Sequence, residues 1–120
     1  MSDEFIKVAT KEINDEIASI KKILESCMSD ADISKKCKLI EKHFHKIKGL
    51  APMMGKKDIG EISALTDILL NHIMERNNLD GIYSILCEST IFMDNSMQGS
   101  KNNPREIIQK IETKYSKYLD

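Results

Sequence analysis

Two prolines, five glycines and no run of alternating polar and apolar residues leave this chain of 120 residues little material for a β-sheet. The class that remains is all-α. No segment approaches the roughly 18 consecutive apolar residues that a membrane span requires. The opening Met1-Ser2-Asp3-Glu4 has neither the basic nor the apolar stretch of a secretory signal. Cys27, Cys37 and Cys87 are odd in number and show no Cys-x-x-Cys spacing. That usage points to reduced thiols and a cytoplasmic protein. Lys and Arg number 18 against 19 Asp and Glu, a net charge of −1, without the basic excess of a general nucleic-acid binder. Internal repeats, low-complexity tracts and a glycine-rich nucleotide loop are all missing. The chain reads as one domain, residues 1–120, whose 41% hydrophobic content suffices for a single core.

What is present is helical periodicity. The first helix is expected over residues 3–27, capped by Ser2, with Ala9, Ile13, Ile17, Ile20, Leu24 and Cys27 on one stripe. Ser29-Asp30-Ala31-Asp32 reads as a polar break. A second helix carries Ile33, Cys37, Ile40, Phe44, Ile47, Ala51 and Met54, in alternating steps of four and three, and Gly55 ends it. Asp58 and Glu61 suggest a capping box before a stripe of Ile59, Ile62, Thr66, Leu69 and Ile73. After a turn at Asn77-Asn78, a fourth helix over residues 80–97 shows Ile82, Leu86, Ser89 and Met93. Residues 98–102 form a loop. Asn103 at N-cap, Pro104 at N1 and Glu106 at N3 then open a fifth helix, with Ile107, Ile111, Tyr115 and Tyr118 inward. Short connections favour antiparallel neighbours. The expected architecture is an up-down four-helix bundle with an additional C-terminal helix.

The densest chemistry lies in His45-Lys46-Ile47-Lys48-Gly49, closed six residues later by Gly55. A helix turns about 100° per residue, so residues three and four apart are surface neighbours. His45, Lys48 and Gly49 therefore share a patch, and His45 lies one step beyond the Phe44 stripe, at the edge of the core. Lys38 and Lys42, upstream on the same exposed side, are candidate docking residues. With Lys48 they favour a phosphate and an acidic partner surface. A free histidine titrates near about pH 6.5, so much of it is neutral and nucleophilic in a cell. The patch suits a histidine that carries a phosphoryl group. His43, about 200° around the helix from His45, and His72, on the Leu65/Ile68 flank, read as structural. Met53-Met54 reads as packing.

His45-x-Ile47-Lys48-Gly49, followed by Met54-Gly55, resembles the signature of histidine-containing phosphotransfer domains. That signature is His-x-hydrophobic-Lys-Gly, several small residues, a hydrophobic residue and a glycine. The likeness covers most of the chain and is similar in particular to the phosphotransfer domain of chemotaxis histidine kinases, which also carries a fifth helix. It implies a four-helix bundle with the phosphoacceptor exposed midway along one helix. It assigns His45 as acceptor through Nε2, Lys48 as the phosphate-facing cation and Gly49 as clearance for a docking partner. In that subgroup a glutamate 22 residues after the histidine holds the other ring nitrogen, and Asp67 stands at that offset here. A carboxylate accepting from Nδ1–H fixes the tautomer that turns the Nε2 lone pair outward. Four positions differ from the pattern. Asp67 is one methylene shorter than glutamate, Ala64 replaces a frequent second histidine, and Leu50 and Pro52 stand where small residues are usual. Pro52 is expected to bend the helix just past the site.

The resemblance implies a monomeric phosphoryl carrier, not an enzyme, that exchanges with a response-regulator receiver domain and a sensor or chemotaxis histidine kinase. It needs no cofactor or metal of its own, because the receiver supplies the metal, and no nucleic acid or membrane. Two rival readings remain. One is a helical module that binds receivers or kinases without being phosphorylated, motivated by Leu50 and Pro52. The other is a metal-binding bundle, ranked last because the Glu-x-x-His pairs of di-metal bundles are missing.

Overall fold

The computed structural model describes residues 2–119 and is built of helices, with no strand among them. In chain order these are α1 (Asp3–Glu25), α2 (Asp30–Leu50), a 3₁₀ turn (Pro52–Met54), α3 (Lys57–Met74), α4 (Ile82–Met97), α5 (Arg105–Lys114) and a closing 3₁₀ turn (Ser116–Tyr118). None is long and apolar enough to cross a membrane. Helix α2 packs most extensively on α3, and α1 packs on α2 and α4. Helix α5 and the closing turn lie against α3, with α5 also on α4. One contiguous core draws on all five helices, from Ile13 and Ile17 through Phe44, Ile62 and Leu86 to Ile111. The cysteines are unpaired, Cys27 and Cys37 buried and Cys87 half-buried.

The stripes on α1, α3 and α4 are buried as expected, and so is the α2 stripe from Ile33 to Ala51, with Met54 half-buried. The caps diverge more. Ser2 Oγ accepts from Phe5 N–H at 3.1 Å and starts α1. Ser29 does the same for α2 through Asp32 N–H at 3.3 Å, so the helix begins inside the expected polar break. Asp30 then reaches across the fold. Its two carboxylate oxygens accept from the backbone N–H groups of Gly81 and Tyr83, both at 2.8 Å, and cap α4 from outside. The Asp58 capping box does not form. Helix α3 starts at Lys57, so Asp58 already lies in its first turn and meets only the helix dipole. Asn103 Oδ1 caps α5 by accepting from Arg105 N–H at 2.9 Å, although Pro104, not Asn103, holds the N-cap position. On α5 it is Ile108, not Ile107, that is fully buried with Ile111 and Tyr115. Tyr118 is half-buried.

Pro52 acts differently from expectation. It does not bend α2 but ends it. The helix stops at Leu50, a single 3₁₀ turn succeeds it, and Gly55 at φ 76° reverses the chain. Helix α3 then returns so close that a Cβ on Gly60 would stand 2.9 Å from Pro52 Cγ. This tight return lays α3 along α2 immediately behind the histidine patch.

Candidate functional site

His45 and Asp67 each sit one residue from a fully buried neighbour, Phe44 on α2 and Thr66 on α3. The α2–α3 packing therefore turns them toward each other at its edge. His45 Nδ1 lies 3.1 Å from Asp67 Oδ2, and the shorter aspartate side chain reaches the ring. The His45 side chain is 63% exposed and that of Asp67 only 5%. A carboxylate can only accept, so in the neutral ring Nδ1 carries the proton. Nε2 then keeps its lone pair, and no protein group among the described residues bonds to it.

Two further groups hold the aspartate, and a third stands beside the ring. Lys48 Nζ donates to Asp67 Oδ2 at 3.3 Å. Asn71, one turn along α3, donates its amide to the Asp67 carbonyl at 2.8 Å and to Oδ1 at 3.3 Å. Glu41, one turn before His45 on α2, brings Oε2 to 3.7 Å from Nδ1. Burial alone pushes the Asp67 carboxyl up, but bonds from Glu41, His45 and Lys48 outweigh it and hold the group below the usual carboxylate range. Asp67 is thus ionised at neutral pH. The bond to Asp67, with burial behind it, pushes the Glu41 carboxyl up instead.

Glu41 and Asn71 were not legible as site residues. The signal for both was helical spacing, four residues before His45 and four after Asp67. Lys48 is thus a partner of the aspartate as well as a charge beside the ring. Gly49 is exposed, and a Cβ built on it meets nothing within 4 Å. Lys38 and Lys42 are exposed and make no ion pair among the described residues. Glu41, His45 and Asp67 each present a ligand atom within 4.8 Å of the others, a set that could hold a cation.

On the opposite flank of α2, His43 Nδ1 lies 2.6 Å from Glu16 Oε1 of α1, and Lys46 Nζ lies 3.6 Å from Glu16 Oε2. Glu16 is buried, so this cluster satisfies an acid at the α1–α2 seam. His43→Ala is expected to lower stability by about 1–3 kcal/mol, the scale for stranding a buried polar group. Urea unfolding followed by circular dichroism measures it, and an unchanged midpoint would mean that Glu16 needs no partner. His72 ties the closing 3₁₀ turn to α3 by donating from Nε2 to the Tyr118 carbonyl at 3.0 Å. Compared with known protein families, curated proteins and solved structures, the chain matches none.

Proposed function

We propose that this chain is a histidine phosphotransfer module of a two-component relay, folded as an up-down four-helix bundle with a fifth C-terminal helix. The observation that carries the reading is the 3.1 Å contact between His45 Nδ1 and the buried Asp67 carboxylate beneath a 63% exposed ring. That geometry presents Nε2 to solvent as a nucleophile. The Nε2 lone pair attacks the phosphorus of an acyl phosphate, such as a receiver's phosphoaspartate. A P–N bond forms, the P–O bond breaks, and its electron pair leaves with the carboxylate. The ring, with Nδ1 still protonated, becomes a cation that Asp67 stabilises. Lys48 offsets charge on the phosphoryl oxygens, and the return transfer runs the same steps backwards. The module works as a cytoplasmic monomer with kinase and receiver partners and needs no cofactor.

Incubation with acetyl phosphate, with intact mass measured before and after mild acid, tests the reading. One acid-labile phosphoryl group per chain is expected. An unmodified chain that still binds a phosphorylated receiver would replace this reading with the non-phosphorylated interaction module.

Asp67→Ala is expected to slow acceptance about 10- to 100-fold, by analogy with losing the partner of a metal-bound histidine. It removes the tautomer lock and leaves the nucleophile. Ring ¹⁵N spectra should show the His45 population moving away from the Nδ1–H form. A ring spectrum identical to the parent's would mean that Asp67 does not hold the tautomer.

A further inference from the structure

We propose that Glu41, His45 and Asp67 form a binding site for a divalent first-row transition ion such as zinc, and that the ion and the phosphoryl group exclude each other at His45. The second half rests on the phosphotransfer reading above. The first half stands on geometry alone.

Glu41 and His45, four residues apart on α2, project from one helical face, and Asp67 meets them from α3. Their ligand atoms already lie within 4.8 Å of one another. Zinc holds imidazole nitrogen and carboxylate oxygen at about 2.0–2.2 Å, so its ligand atoms stand about 3–4 Å apart. Closing the difference takes side-chain rotation of the exposed ring and of Glu41, not movement of a helix. One imidazole with two carboxylates suits zinc, copper or nickel better than magnesium or calcium, which take all-oxygen sets. Three protein ligands leave the fourth position open, and the exposed ring gives solvent access to it. Asn71 supplies outer support, because its amide occupies Asp67 Oδ1 at 3.3 Å and leaves Oδ2 toward the ring.

One group opposes the ion. Lys48 Nζ sits 3.3 Å from Asp67 Oδ2, where it supplies positive charge itself, but its side chain is 43% exposed and can swing out. Removing it therefore strengthens ion binding while weakening phosphate contact.

The exclusion comes from proton accounting on one ring. Neutral imidazole carries a single proton. An ion bound at Nδ1 takes that nitrogen's lone pair, so the proton moves to Nε2 and the nucleophile is lost. Conversely, the ring phosphorylated at Nε2 is a cation whose Nδ1–H faces Asp67, so an ion must displace that proton before it can ligate Nδ1. Each ligand weakens the other by the same factor.

The test titrates zinc chloride into the full chain, reads affinity by calorimetry and ligation by the His45 ring ¹⁵N shifts, then repeats acetyl phosphate labelling with and without zinc. One ion per site is expected, with a shift at His45 Nδ1. Glu41→Gln and Asp67→Asn should each weaken it at least tenfold, and Lys48→Met should tighten it. Zinc should slow parent labelling, and the Glu41→Gln chain should need more zinc for the same inhibition. Unmoved His45 ring shifts, or zinc affinity indifferent to both carboxylate substitutions, would overturn the site. Zinc ligation at Nδ1 in a chain that never labels would overturn the phosphotransfer reading and leave the metal site standing. Labelling indifferent to bound zinc would overturn the exclusion.

Discussion

His45→Gln is expected to accept no phosphoryl group from acetyl phosphate or from a receiver, while remaining folded. The two halves of that result come from different parts of the structure. The core around this position belongs to Phe44 and Ile47, both 0% exposed, whereas the His45 side chain is 63% exposed. Surface substitutions of this kind usually shift stability by no more than about 0.5 kcal/mol. Glutamine can still donate an amide N–H to Asp67, so the buried carboxylate keeps a partner along with Lys48 and Asn71. Chemically, nothing replaces Nε2. An amide nitrogen delocalises its lone pair into the carbonyl and does not attack phosphorus. Intact mass read alongside thermal melting separates the two halves. A melting curve close to the parent's with no added phosphoryl mass is the expected pair. A persistent acid-labile adduct would move the acceptor role elsewhere, and His43, whose Nδ1 is held by Glu16 at 2.6 Å, would be the first residue to examine.

How much of this site can be read from sequence depends on whether a contact runs along one helix or between two. The α2 stripe from Ile33 to Ala51 comes from spacing alone, because burying one face of a helix fixes which residues recur. The same arithmetic places His45 at the edge of the core. The 22-residue offset to Asp67 could be read only through the family pattern. Whether the shorter side chain closes the gap depends on how near α3 lies to α2. That distance is set by Gly60 yielding to Pro52, a pairing no local pattern announces. Pro52 was legible as a helix breaker, but bending and stopping a helix differ only in the conformation of the next few residues, here a 3₁₀ turn and a left-handed Gly55. Asp30 as an outside cap for α4 has no local signature, since its partners Gly81 and Tyr83 are about fifty residues away. Glu41 stood in plain view one turn before His45. It reads as an ordinary solvated helix acid until Asp67 arrives beside it and pushes its carboxyl up. On α5, Ile107 and Ile108 are adjacent apolar residues, and packing against α3 and α4 decides which of them turns inward.

Gly49→Gln is expected to block phosphoryl exchange with a receiver domain while acetyl phosphate still labels His45. A receiver must bring its aspartate within bonding distance of Nε2, so its surface passes over the α2 face one turn beyond the ring. Gly49 occupies that position. It is exposed, and a Cβ placed there meets no atom within 4 Å, so the room it leaves belongs to solvent or to a partner. The backbone gives no reason for glycine either, because positive φ among the glycines is confined to Gly55, Gly81 and Gly99. Replacing glycine in a helix raises helix stability by up to about 1 kcal/mol, and at the penultimate residue of α2 the gain is smaller still. Lost transfer therefore cannot be assigned to a weakened helix. A long glutamine side chain over the patch obstructs a protein surface but leaves acetyl phosphate, which is only a few atoms across, free to reach Nε2. The measurement compares two rates on one folded variant: labelling by acetyl phosphate, and exchange with a phosphorylated receiver that reacts with the parent chain. The first should stay within about twofold of the parent and the second should fall at least a hundredfold, about 2.7 kcal/mol of docking free energy at 1.36 kcal/mol per tenfold. If both rates fall together, Gly49 serves the site itself and the clearance argument fails. If neither falls, the receiver approaches His45 from the Lys38 and Lys42 side.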